Sequence, residues 1–170
     1  MKKINMIISI LGLLFASVSY GSTYAGISFG ETDLDVQGAD DTSGTSLFLG
    51  HNLTSNLAIE LSVNDWGSSS GSSYREEYDS VDFGFVVKNN ITENVDFLAG
   101  VGISAWDSDG IDKFDGSSYG VNSSDLYYSL GFGFKVSEAN MRFIYKRYDL
   151  NYNGDGLDPY NLSIGAFINF

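Results

Sequence analysis

Three ionisable residues invite a chemical reading first. Glu60, Lys88 and Arg142 each lie in an alternating stretch, a few residues from a short polar turn. One carboxylate and two cations at matching heights could form a single ion-pair network, whose rearrangement could gate a narrow passage. The plainer alternative is a static polar core. The only histidine, His51 in "LGHNL", has no serine two positions on. With no cysteine, the chain can form neither a thiolate metal site nor a disulfide framework. "DLNYNGDGLDPY" (Asp149 to Tyr160) carries Asp149, Asn151, Asn153 and Gly154 where a calcium loop has its first ligands and its glycine. Its twelfth position, which needs a bidentate Glu, is Tyr160. "DSDGIDKFDG" (Asp107 to Gly116) is equally acidic but fits no ligand spacing. No catalytic, cofactor-binding or metal-binding residue is therefore expected, and no cofactor.

The elements that must position these residues are strands. The chain opens with Lys2 and Lys3, an apolar run "IISILGLLFASV" and small residues at Ser17, Ser19 and Gly21. That run is too short to cross a bilayer as a helix and fits a cleaved export signal over residues 1–21, leaving one domain over 22–170. After it, a period of two recurs throughout and no window has convincing helical periodicity. Eight strands are predicted, near 23–33, 45–53, 57–66, 80–90, 95–106, 125–136, 140–150 and 159–170. Tight turns ("TSN", "ITEN", "SEA") alternate with longer segments near 34–44, 67–79, 107–124 and 151–158, read as loops, with "GSSSGSS" (Gly67 to Ser73) as a low-complexity tip. Short turns at one end and long connections at the other make an antiparallel up-and-down meander.

The two faces of these strands decide what surrounds them. One face collects Ala25, Ile27 and Phe29, then Phe83 and Phe85, then Leu130, Phe132 and Phe134, then Leu162, Ile164 and Phe170, and only His51 and Arg147 break it. The other carries Gly26, Ser28, Gly50, Ser62, Gly84, Gly100, Gly102, Ser104, Gly131, Gly133, Ser163 and Gly165, and the charges Glu60, Asp82, Lys88, Asp96, Lys135, Arg142 and Lys146. An eight-stranded barrel has an interior just wide enough for its own side chains, so the aromatic face would overfill it. Turned outward, the aromatics meet lipid, while a charge near the bilayer midplane on that face would cost roughly 2–4 kcal/mol. The fold is therefore read as all-β, an eight-stranded antiparallel transmembrane β-barrel. Closure satisfies every backbone group without a disulfide.

Three stretches carry a resemblance to a known family. "LFLGHNLTSNLAIELSV" (Leu47 to Val63) places a glycine, a short turn and an inward Glu in succession; "FLAGVGIS" (Phe97 to Ser104) alternates glycine; "SIGAFINF" (Ser163 to Phe170) ends on an aromatic. Together they resemble the small eight-stranded outer-membrane barrels, such as the OmpA transmembrane domain and OmpX. The resemblance implies a place in the outer membrane of a Gram-negative bacterium, with long connections outside and short turns in the periplasm. It implies that Ser163, Gly165, Ile168 and Phe170 form the signal read by the outer-membrane assembly machinery, and that Glu60 with Lys88 and Arg142 plugs the lumen. Some barrels of this size modify lipid A with a His, a Ser and an acid. His51 lacks that setting and is read as an interfacial polar residue.

The remaining expectations concern partners. Without Lys2 and Lys3, seven of the nine basic residues face 22 acids, a net charge of about −15. That excludes nucleic acid, which needs a basic footprint. Most acids fall in the long connections, forming an acidic crown. Arg147 is placed to reach a lipid phosphate, and Tyr128, Tyr145 and Tyr160 to anchor the upper aromatic belt. The expected partners are outer-membrane lipids, lipopolysaccharide and an unidentified surface partner, with the barrel itself monomeric. The expected role is structural or surface-interacting and non-enzymatic, with a narrow, weakly cation-preferring gated pore as the alternative and a lipid-A-modifying enzyme less favoured. A folded barrel of this kind withstands SDS until it is heated. Unheated and boiled samples should migrate at different apparent masses; a single mobility would contradict the fold.

Overall fold

The computed structural model describes residues 22–34, 41–71, 74–136, 139–152 and 155–170. The expected export signal over 1–21 lies outside them. The strands are β1 (Thr23–Asp33), β2 (Thr42–Asn52), β3 (Leu57–Ser70), β4 (Tyr74–Thr92), β5 (Val95–Asp112), β6 (Ser118–Val136), β7 (Ala139–Tyr152), β8 (Asp155–Leu157) and β9 (Tyr160–Asn169). Every pairing is antiparallel, and each of the first six strands pairs with the next. β9 pairs with both β7 and β1, which closes the sheet on itself. β8 is a short strand pairing with the top of β7, so the wall has the eight expected staves. Pro159 interrupts β8 and β9 because it has no N–H to give to a ladder. Its carbonyl still accepts from Tyr148 N at 2.9 Å.

The aromatic chain end is locked into this closure. Phe170 N donates to Thr23 O at 2.8 Å, and Thr23 N donates back to Phe170 O at 3.1 Å. The two faces separate as their chemistry demands. Phe29, Leu126 and Ile164 are 56%, 60% and 52% exposed on the outer wall, whereas Asp82 and Ser104 on the inner face are fully buried.

The structure corrects the outer connections. Most of segments 67–79 and 107–124 is not loop: β3, β4, β5 and β6 run on as paired strands, as far as Ser70 opposite Arg75 and Ile111 opposite Ser118, with 72–73 outside the described residues. β4 and β6 have 19 residues each, about twice the 9–11 needed to span a tilted barrel. No alternation of apolar and polar residues marks these extensions, because water touches one face and a partly polar core the other. The acids at the β5–β6 tip are turn formers. Phe114 N donates to Asp112 Oδ1 at 2.7 Å, Ser117 N donates to Asp115 Oδ1 at 2.8 Å, and Gly116 has φ of 73°. The hydrogen bonds from Ser117 hold the Asp115 carboxyl below its ordinary pKa.

β3 contains a bulge between Asp65 and Gly67 that re-aims the chain. Gly67 has φ of 87°, its N–H donates to Asp65 Oδ1 at 2.8 Å, and Thr42 Oγ1 donates to Trp66 O at 2.5 Å. The extra residue is Trp66, which is 2% exposed. Gly67→Ala should destabilise the barrel by about 1–2 kcal/mol, the usual left-handed penalty for an L-residue. Urea unfolding in lipid vesicles measures this, and an unchanged midpoint would contradict the bulge.

Candidate functional site

Inward-facing side chains fill the lumen in layers. The lowest is Lys88 on β4, which donates to Asn52 Oδ1 and holds its Nζ 5.4 Å from the Tyr24 ring centroid. Nearby, Lys135 lies 3.5 Å from Asp96. Above them Arg142 of β7 reaches across to Glu60 of β3 at 2.6 Å, and Tyr24 OH donates to the same oxygen at 3.1 Å. The guanidinium stacks on Phe48, 3.4 Å from the ring centroid. Of the three expected network members, the structure thus brings Glu60 and Arg142 together and gives Lys88 a different partner.

A second ion pair lies above the first. Lys146 Nζ sits 2.8 Å from Asp82 Oδ2, which also accepts from Tyr148 OH at 3.1 Å. Ser80 Oγ donates to Asp82 Oδ1 at 3.0 Å. Several donors on a fully buried carboxylate offset the cost of removing it from water. Asp82 and Lys146 were legible as lumen charges, yet their pairing was missed. Alternation shows which wall a side chain faces, and only the stagger between strands shows its height.

A third layer is apolar. Trp66, Tyr78, Trp106, Tyr127, Tyr148 and Leu150 form one buried cluster across the upper lumen. Trp66 and Tyr148 have ring centroids 4.6 Å apart, and Trp106 Nε1 donates to Asp125 Oδ2 at 2.7 Å. A small cavity bordered by Ser46, Ser62, Arg142, Lys146 and Tyr148 has a volume of about 20 Å³, room for roughly one water. The sequence signal for the aromatic layer was an apolar side chain on the otherwise small and polar parity, as at Tyr127 and Tyr148.

The other expected site residues lie on the wall. Gly165 is buried against β1, where a Cβ would come within 2.9 Å of Ile27 O, and Ser163 faces inward with it. Ile168 and Phe170 point outward, 59% and 55% exposed. Tyr128 and Tyr160 are exposed at the upper rim, and the Tyr145 and Tyr160 rings are 5.7 Å apart. Arg147, expected to reach a lipid phosphate, pairs with Asp158 at 2.7 Å, a carboxylate supplied by the turn below β8. His51 Nδ1 lies 3.1 Å from Thr23 Oγ1 at the lower end of the wall. The span from Asp149 to Tyr160 is a β-hairpin, with 153–154 outside the described residues. Among the described residues no group of three or more His, Asp or Glu is placed to hold a metal ion.

Crossing ion pairs and an aromatic layer occupy the lumen inside an apolar outer wall that β1 and β9 close. Residues 8–170 match the family model described as outer membrane protein beta-barrel domain. The chain belongs to that family. It is a protein of the cell outer membrane, with its long hairpins outside and its short turns in the periplasm. Ail, the attachment invasion locus protein of Yersinia pestis, is similar over 89% of this chain and 100% of its own, at 18% identity and a TM-score of 0.64. Neisserial surface protein A matches over 89% and 98%, at 13% identity and a TM-score of 0.72. The N-terminal barrel of Pseudomonas aeruginosa OprF matches over 89% and 100%, at 12% identity and 0.65. A further Ail structure is a complex with the heparin analogue sucrose octasulfate. At these identities the likeness shows the fold alone. No curated protein sequence matches the chain.

Lys146→Met should strand the buried Asp82 charge and cost about 3–5 kcal/mol, with Lys146→Met/Asp82→Asn recovering a large part of it. Unfolding in detergent micelles tests this, and equal losses for the single and double variants would refute the pairing.

Proposed function

We propose that this protein is a non-enzymatic outer-membrane anchor that presents an acidic extracellular sheet to basic partners. One observation carries the reading: β3 to β6 rise beyond the lipid belt as a paired sheet bearing Asp65, Glu77, Asp79, Asp107 and Asp109 on its outer face. A barrel serving only as a wall has no need of such a projection. The projection is also well supported, because the Trp66 and Trp106 layer lies beneath it. Phe114 at the β5–β6 tip is 83% exposed, a large aromatic of the kind that anchors protein contacts.

The charge selects among surface partners. Ail holds a sulfated polyanion in one structure, but a net charge of −13 disfavours such a ligand here and attracts cationic ones. The pore reading has less support, since two crossing ion pairs and an aromatic layer occupy the lumen. The enzymatic reading has less still. Thr23 and His51 supply a hydroxyl and an imidazole at the lower rim, while Glu60 and Asp82, the nearest buried acids by register, face the lumen on the other side of the wall.

Vesicles carrying the protein should capture polylysine and release it as salt rises, with polyglutamate unbound, and planar bilayers should show no unit conductance. Glu77→Gln/Asp79→Asn/Asp107→Asn should weaken capture several-fold. Conductance steps, or capture indifferent to the sign of the polymer, would overturn the reading.

A further inference from the structure

The periplasmic end of the lumen holds a group of side chains that the acidic outer sheet does not use. Asn52, Lys88, Asn90, Asp96, Lys135 and Asn169 border an open cup of about 620 Å³ there. Above it Tyr24, Phe48 and Ala58 form a buried cluster, with Phe167 packed against them. The cup is cationic, although the chain as a whole carries a formal charge of −13. Lys88 and Lys135 stand against one carboxylate, Asp96. Glu60 in the layer above is committed to Arg142 at 2.6 Å, and Glu93 is exposed in the turn between β4 and β5.

Both lysines are positioned without being used up. Asn52 Oδ1 accepts from Lys88 Nζ, while Asn52 Nδ2 donates to Ser22 O at 2.9 Å and so holds the acceptor in place. An ammonium has three N–H groups, so Lys88 keeps donors beyond the one that Asn52 takes. Lys135 Nζ lies 3.5 Å from Asp96 Oδ1 and 3.4 Å from Glu93 O, at the outer limit of a hydrogen bond. Asp96 Oδ1 is buried and accepts no hydrogen bond among the described residues. A buried acceptor left in that state costs free energy, which a donor brought by a ligand would recover.

These groups ask for opposite partners in one molecule. The lysines suit an oxyanion, Asp96 suits an N–H, and the amides of Asn90 and Asn169 each offer a donor and an acceptor. A peptide ending in a free carboxylate carries all of these within a few bonds. Inorganic phosphate brings the charge without the amides. A phospholipid brings a phosphate, but its acyl chains belong outside the wall and the cup opens inside it.

We propose that the periplasmic mouth of the barrel binds the carboxylate end of a peptide, with Lys88 and Lys135 holding the carboxylate and Asp96 accepting from a backbone N–H. This site lies at the opposite end of the barrel from the acidic sheet and is independent of it.

The test uses the barrel in nanodiscs of zwitterionic phosphatidylcholine, with amide shifts followed by NMR. The probes are acetylated trialanine with a free carboxylate, the same peptide ending in an amide, and inorganic phosphate. The acid should move the amides of Asn52, Asn90 and Lys135 and leave the outer strands unchanged. The amidated peptide should bind at least tenfold more weakly, and phosphate several-fold more weakly. Lys135→Met should fold, because that side chain is 43% exposed, and should weaken the acid several-fold. Asp96→Leu should weaken the peptide while tightening phosphate, which a merely structural role would not do. The wild-type comparison of acid with amide needs no variant. Equal binding of the two peptides, phosphate binding as tightly as the acid, shifts confined to the outer strands, or no shift with any probe overturns the proposal. Loss of acid binding when phosphatidylglycerol is added to the nanodisc also overturns it, since a lipid headgroup would then be the occupant.

Discussion

The ladder between β1 and β9 is the constraint on which the rest of the molecule depends. In lipid each unpaired backbone group costs several kcal/mol, so a sheet that crosses a membrane must close. Here closure runs from Tyr24 opposite Asn169 up to Asp33 opposite Tyr160, and beyond its lower end Thr23 and Phe170 exchange both of their bonds. Eight staves leave little space inside. The inner positions are accordingly glycine and serine over much of their length, with Gly102 opposite Gly84 and Gly100 opposite Ser129. The few large inward side chains must fit the gaps that these leave.

What fills those gaps is a core of unusual composition, because the greasy residues are committed to the lipid side. The interior must bury charge, and at two carboxylates several groups converge on the ion. Glu60 receives Arg142 and Tyr24; Asp82 receives Lys146, Tyr148 and Ser80. Aromatic faces accept the cations from the other side, Phe48 under Arg142 and Tyr127 4.7 Å from Lys146. β7 supplies both cations, so the two ion pairs act as crossbars from one stave to β3 and β4. They brace that stave against two others across the lumen.

Much of this was legible in the sequence because alternation is a one-dimensional signal that lipid enforces strongly. Phe83 and Phe85, or Ile164 and Ile168, reveal the outer wall wherever the strand is in the membrane, and the eight staves follow. Height around the barrel is not one-dimensional. Glu60, Lys88 and Arg142 share a parity, but the stagger of β3, β4 and β7 puts Lys88 near Asn52 and leaves Arg142 to Glu60. The bulge at Trp66 was equally hidden, since one extra residue reverses the parity of everything after it. The upper strands escape the sequence pattern for a simpler reason. Once lipid is gone, the outer face can be polar, and the periodicity that announced the strand disappears while the ladder continues.

That freedom makes the outer face of the projection informative. Asp65 lies opposite Asp79, Asp79 opposite Asp107, and Glu77 opposite Asp109. Like charges placed directly across a ladder work against the sheet, by an amount of order 0.2–1 kcal/mol for each pair. Serine or threonine at the same positions would satisfy solubility and strand propensity without that cost. The sheet tolerates the repulsion because Trp66, Tyr78, Trp106 and Tyr127 are buried on its other face, and burial of a single aromatic outweighs several such pairs. Folding alone does not call for this arrangement. Stability gathered on the inner face instead holds negative charge in a fixed array on the outer one.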